Sequence, residues 1–379
     1  MEKKVALYIH IPFCKSKCLY CDFPSFCGME SSMLDYCKAL SKEINSIKDV
    51  VISSVFIGGG TPTYLSFEGW NLIKSSIENL NVASEIEFTV EGNPGTFEQE
   101  KLILLKEMGV NRLSIGLQAW QNDLLKGLGR IHNSEDFIKS FEMARLIGFD
   151  NINVDLMFGL PSQSLSQWEE TLKNVIKLNP EHISNYSLII EDETPLKQMY
   201  KEEKINLPSE DEEREMYDLA LELLNKSEYE QYEISNFSKA NRQCKHNLVY
   251  WSMDEYIGCG AGAHSYIDGK RYSNELKIPK YITSINESGS AVTEAYINTE
   301  KDDMEEFVFM GLRKTEGISI VEFNNKFKRD INLIYGKIIS KYEEKGLIEV
   351  NNNRMYLTSK GMPLANIVMS EFILDKLDN

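Results

Sequence analysis

What most constrains the fold of this chain is a rhythm. Along its first half, short runs rich in β-branched and apolar residues alternate with stretches that place apolar residues at i, i+3 and i+4. The strand-like runs are VALYIHI from Val5, SVFIGG from Ser54, EIEFTVE from Glu85, RLSIGLQ from Arg112, NINVDLMFG from Asn151 and HISNYSLII from His182. Between them lie LIKSSIENL, EKLILLKEMG, SEDFIKSFEMARLIG and WEETLKNVIKL, which carry the helical period. A step of mostly about 25–40 residues is the size of a βα unit with its crossover. Six units in a row predict a parallel sheet covered by helices. Eight would be needed to close a barrel, so the expected class is α/β, a partial (β/α)6 parallel barrel with ligands at the carboxyl ends of its strands.

Beyond about residue 190 the alternation stops. PSEDEEREMYDLALELLNK reads as one helix, with Ser209 as N-cap and Glu212 completing a capping box. Its acidic first turn suits the positive end of a helix dipole and is not read as a metal site. A glycine-rich stretch, YIGCGAGAHSY, follows at 256–266. From about residue 300 two helical patterns precede GLIEVNNNRMYLTSKG, a hairpin turning at its asparagines. The chain therefore divides into a barrel over 1–200, a connecting region over 201–295 and a C-terminal α+β, winged-helix-like domain over 296–379.

A net charge of −17 argues against a surface built to neutralise phosphates, so nucleic acid is not an expected partner. The start, MEKKVALYIHIPFC, is basic and then apolar, but His10 and Pro12 interrupt it and no small-residue cleavage site follows. It reads as a buried first strand, and the expected location is the cytoplasm. Seven cysteines, an odd number, fit reduced thiols.

Three of those cysteines stand in CKSKCLYCDF, as Cys14, Cys18 and Cys21, with Phe23 where a fourth could have been. Structural zinc wants four ligands, commonly in two pairs, and no second pair lies near. Cys27 is one candidate to complete a tetrahedron. Iron–sulfur clusters are also held by thiolates, and a cubane on three of them keeps one iron open to a ligand. The other four cysteines, Cys27, Cys37, Cys244 and Cys259, read as small buried hydrophobes. Downstream, Gly58, Gly59 and Gly60 leave a strand end bare, where backbone can approach a ligand closely.

The cysteine frame after a first strand, followed by GGGTPT, resembles the radical S-adenosylmethionine (SAM) superfamily. The resemblance implies a [4Fe–4S] cluster on Cys14, Cys18 and Cys21, with SAM chelated at the open iron and cleaved reductively. It also implies that Gly59, Gly60 and Thr61, with Gly58, contact SAM, and that Tyr8 and Tyr20 lie at the cluster–SAM face. Glu91 in VEGNP, Gln118 in SIGLQ, Arg130 in GLGRIH and Asp155 in NVDLMFGLP match further polar SAM contacts. Each of them also has a plain structural reading, as aromatic core or a satisfied strand-end group.

Over nearly the whole chain, LYIHIPFC, FIGGGTPT, EGNP, RLSIGLQ, DLMFGLP, NYSL, GAGAHS, GLRKTEG and LTSKG resemble the oxygen-independent coproporphyrinogen III oxidase group. The oxidases of that group typically carry a further cysteine where Phe23 stands and a longer segment before the first strand. HNLVYW, from His246 to Trp251, matches the HNxxYW motif of HemW-type heme chaperones. That resemblance implies heme as cargo, an electron donor and a heme-receiving respiratory protein. A homodimer and a peripheral membrane contact stay open. An imidazole is a normal axial ligand of heme iron and aromatic rings pack on porphyrin faces. His246 is accordingly the expected heme contact, with Tyr250 and Trp251 lining the pocket. The competing reading is a polar–aromatic corner that fixes a loop. His264 is a rival ligand, and His10 reads as a satisfied core histidine. The alternative function is SAM-dependent oxidative decarboxylation of coproporphyrinogen III; an enzyme acting on RNA is remote.

Overall fold

A computed structural model describes residues 2–374. Six strands fall where the rhythm puts them: β1 (Lys4–Ile11), β2 (Val51–Gly59), β3 (Val82–Gly92), β4 (Arg112–Gln118), β5 (Ile152–Phe158) and β6 (His182–Ser187). Each pairs in parallel with the next, so sheet order follows chain order. β1 and β6 do not pair with each other, which leaves the expected open arc of six strands.

Period-two alternation gives this sheet two different faces. Leu7 and Ile9 of β1, Val55 and Ile57 of β2, and Leu113 and Ile115 of β4 belong to the main apolar core under the helices. The opposite parity is polar: Ser54 on β2, Glu87 and Glu91 on β3, Arg112 and Ser114 on β4, Asn153 and Asp155 on β5, His182 and Ser184 on β6. A barrel interior is ordinarily filled by branched apolar side chains. Here it is a hydrogen-bonded polar floor, and that floor positions the site.

The segment after residue 200 adds six more strands: β7 (Glu230–Glu233), β8 (Asn236–Ser238), β9 (Tyr256–Cys259), β10 (His264–Ile267), β11 (Lys270–Asn274) and β12 (Val292–Ile297). β8 and β7 continue the sheet antiparallel from β6. On the other edge β9 joins β1 in parallel, and β10 to β12 follow antiparallel. Met216, Leu224, Phe237 and Tyr281 share the main core, so the connecting region is woven into the barrel's sheet. These six strands run three to six residues and lack the βα spacing that marks β6 or the asparagine turn that marks the C-terminal hairpin, so the sequence does not announce them. The helix Glu210–Lys226 does carry the capping box of Ser209 and Glu212.

The C-terminal part builds a separate core around Val308, Phe323, Tyr335 and Met355. Helix Glu300–Gly311, strand β13 (Ile318–Ser319), helices Ile320–Phe327 and Ile331–Glu344, and the hairpin of β14 (Ile348–Asn351) and β15 (Arg354–Leu357) follow in winged-helix order. The hairpin turns at Asn352 and Asn353, both at positive φ, as a two-residue loop demands. No helix of the described residues is long and apolar enough to cross a membrane.

Candidate cluster and SAM site

The cysteine loop leaves β1 and is held at both ends. At its base Cys14 N donates to Phe26 O and Phe26 N to Pro12 O, at 3.0 and 2.8 Å. At its tip Leu19 N donates to Leu128 O and Leu19 O accepts from Leu196 N, both at 2.9 Å. His10 adds a brace. Its Nε2 lies 2.7 Å from Pro24 O, which can only accept, so Nε2 carries the proton and Nδ1 accepts from the Tyr8 hydroxyl at 2.9 Å. Burial holds this imidazole below its ordinary pKa, and it is the satisfied core histidine expected.

Cys14, Cys18 and Cys21 line one cavity of about 350 Å³ at the carboxyl ends of the parallel strands. Gly59, Gly60, Glu91, Gln118, Arg130 and Asp155 line the same cavity, as does Tyr20. Thr61 is buried just behind it and donates to the Cys14 sulfur at 3.5 Å. Burial raises the thiols of Cys14 and Cys21, which favours the protonated form until a metal displaces the proton. Among the described residues no three His, Cys, Asp or Glu side chains close on a single ion. Three thiols on the wall of one cavity are the donor set of a thiolate-held cluster, which takes each on a different iron. The residues present fit a three-thiolate cluster. Cys27 is exposed and outside the cavity, which corrects its reading as a buried hydrophobe; Cys37, Cys244 and Cys259 are buried as expected.

The glycine strand end is tight. A Cβ on Gly60 would stand 2.8 Å from Phe13 O, 2.9 Å from Ile11 O and 3.0 Å from the Cys14 sulfur. Gly59 has φ of +109°, a conformation that favours glycine, and its amide donates to Glu91 at 3.2 Å. Burial, then the nearby Asp155, pushes the Glu91 carboxyl up to about 8. Gln118 ends β4 at φ of 72°, beside a register shift, and so is aimed into the cavity by local strain.

Arg130 is the hub of the polar wall. Its guanidinium donates to the Cys18 sulfur at 3.2 Å, to Asn93 Oδ1 at 2.7 Å and to Gly116 O at 2.5 Å. Asn93 in turn donates to Thr61 at 2.8 Å. Asn93 is a site residue that the sequence marks only by its place in EGNP, two residues after Glu91.

A second cavity of about 230 Å³ lies beside the first, and Phe23, Gly59 and Glu91 line both. Tyr8, expected at the cluster–SAM face, lines this second cavity and not the first, and His246 and Tyr250 line it too. Both imidazole nitrogens of His246 are engaged, Nδ1 with Ser54 Oγ at 2.8 Å and Nε2 with Tyr250 Oη at 3.0 Å. Burial, with Arg112, lowers its pKa to about 3, so it stays neutral. Glu87 anchors the helix Lys245–Trp251, accepting from the amides of Lys245 and His246 at 3.0 Å each. Trp251 is not brought to this cavity. One residue past Tyr250 a helix has turned by about 100°, and the indole instead stacks on Arg313, 4.2 Å away. His264 is exposed on β10 and lines neither cavity.

A partial parallel barrel with three thiols facing a glycine strand end defines a radical SAM scaffold. Residues 8–175 match the radical SAM superfamily model, and residues 298–364 match the HemN C-terminal domain. The solved structure of the coproporphyrinogen III oxidase HemN from Escherichia coli superposes with a TM-score of 0.86 at 24% identity, covering 98% of this chain and 90% of that one. The heme chaperone HemW of Bacillus subtilis (strain 168) is 42% identical, over 97% of this chain and 98% of that one. HemW of Lactococcus lactis is 36% identical over the full length of both. The chain belongs to the HemW family of heme chaperones.

Proposed function

We propose that this protein binds heme as cargo on a radical SAM scaffold and delivers it to a respiratory protein. In this reading Cys14, Cys18 and Cys21 hold a [4Fe–4S] cluster. Gly59, Gly60 and Thr61 receive the methionine end of SAM, and Glu91, Gln118, Arg130 and Asp155 hold its polar groups, with Tyr8 and Tyr20 flanking. A reduced cluster of this kind supplies one electron for cleavage of SAM. The chain's own part is to orient: Arg130 ties the Cys18 sulfur to Asn93 and the β4 end, so cluster loop and ligand cavity move as one body.

The observation that carries the reading is the meeting of the three thiols and the strand-end polar groups in one cavity. The full-length likeness to proteins named heme chaperones supports the cargo. His246 and Tyr250 are the proposed heme contacts. Because both nitrogens of His246 are engaged, its coordination of iron requires release of Tyr250 or Ser54.

The test supplies reduced, cluster-reconstituted protein with SAM and coproporphyrinogen III, and in parallel loads it with hemin and offers an apo-hemoprotein. Heme transfer without protoporphyrinogen formation is expected. Turnover of coproporphyrinogen would establish an oxidase instead. His246→Ala protein that binds hemin with wild-type affinity and spectrum would remove His246 from the heme site.

A further inference from the structure

Beneath the SAM cavity runs a chain of hydrogen bonds whose direction is fixed by chemistry. It starts at Cys244, the residue before helix Lys245–Trp251. Cys244 N can only donate, and it donates to the Tyr232 hydroxyl at 3.2 Å. That hydroxyl lies 2.8 Å from His182 Nε2, and His182 Nδ1 lies 2.6 Å from Asn153 Oδ1. Oδ1 can only accept, so Nδ1 carries the imidazole proton and Nε2 accepts from Tyr232. Asn153 Nδ2 then donates to Asp155 Oδ1 at 2.8 Å and to Ser114 Oγ at 2.7 Å. Ser114 completes the cradle by donating to Asp155 Oδ2 at 3.0 Å.

Every donor in this chain points towards the Asp155 carboxylate, and aligned hydrogen bonds strengthen one another. Asn153 has no freedom to turn: both amide protons are used, and Oδ1 also accepts from Ser184 at 3.2 Å. Flipping its amide would set an oxygen against a carboxylate. Asn153 and His182 are nearly or fully buried and line neither cavity, so they do not touch the ligand.

We propose that Asn153, His182 and Tyr232 are positioning residues. They hold Asp155 facing the SAM cavity and tie that cavity to the helix that carries His246. The inference rests on the assignment of SAM to this cavity. Asp155 is raised by burial and lowered by the Asn153, Ser184 and Ser114 hydrogen bonds and by Arg112. Glu91 from β3, Arg130 from the turn after helix Asn122–Gly127, and Tyr186 from β6 also face it. Removing the Asn153 donor therefore raises Asp155 further and moves the onset of SAM binding to higher pH.

The experiment measures SAM affinity against pH for cluster-reconstituted wild type, Asn153→Leu and Tyr232→Phe. Loss of a donor to a buried carboxylate is expected to weaken SAM by roughly tenfold in Asn153→Leu, and by less in Tyr232→Phe. The binding onset should shift upward in pH, with cluster absorbance unchanged. Wild-type affinity and pH profile in the variants, even with a lowered melting temperature, would overturn the proposal. If Asn153→Leu does not fold, Tyr232→Phe decides alone. A wild-type protein that takes up no SAM would instead overturn the cavity assignment, and this inference with it.

Discussion

Replacing Gly60 with alanine should break the link between the glycine strand end and the cluster loop. The added Cβ would lie 2.8 and 2.9 Å from two main-chain oxygens, those of Phe13 and Ile11, and 3.0 Å from the Cys14 sulfur. A flexible side chain could swing aside, but these oxygens cannot. They accept from the amides of Thr61 and Gly60, each at 2.8 Å, so relief requires pulling apart the junction that sets Cys14. Overpacking of this kind costs about 1–3 kcal/mol, or a factor of roughly 5 to 150 in the equilibrium that keeps the loop closed. The assay is iron and sulfide per chain after anaerobic reconstitution, beside the melting temperature of the apoprotein. Gly127→Ala is the control, because nothing lies within 4 Å of the Cβ it would add at the end of a helix. Gly60→Ala should lose iron and stability while Gly127→Ala keeps both. A Gly60→Ala protein with full iron and wild-type melting would refute the close-approach reasoning.

Other outcomes follow from the same geometry. Glu91→Gln should weaken SAM binding without loss of cluster absorbance. It should also remove a pH dependence: Glu91 is raised to about 8, so its contribution to stability is present below pH 4.5 and lost as pH rises through 8. Wild-type melting should therefore fall relative to Glu91→Gln across that window, and parallel curves would contradict it. Arg130→Lys should not rescue Arg130→Ala, because one ammonium cannot span the Cys18 sulfur, Asn93 and Gly116 O as the guanidinium does. Loss of the hydrogen bond to sulfur should make the cluster harder to reduce, read by potentiometric titration. Ser209→Ala removes the capping box and should cost about 1 kcal/mol by denaturant melting, with SAM affinity untouched.

Long, strongly periodic elements were readable from the residues. All six barrel strands, the helix capped by Ser209 and the hairpin at the asparagines come from pattern and local chemistry alone. β7 to β12 were not readable, because each is short and draws its stability from the sheet edge it joins. At the site, the cysteine frame, the glycine strand end and the polar strand ends line one cavity, while Tyr8, His246 and Tyr250 line the one beside it. The polar floor was hidden, although strand parity held the clue: Ser114, Asn153 and Asp155 share one face, while Leu113 and Ile115 share the other. His246 shows the opposite limit. Its motif identified a histidine beside a cavity, yet only the folded structure shows both nitrogens engaged and Trp251 turned towards Arg313.

The most direct test of the heme-chaperone account is an anaerobic hemin titration of the cluster-reconstituted protein, followed in the Soret band. The account predicts saturable binding at a single site per chain. Featureless, non-saturating uptake would contradict it.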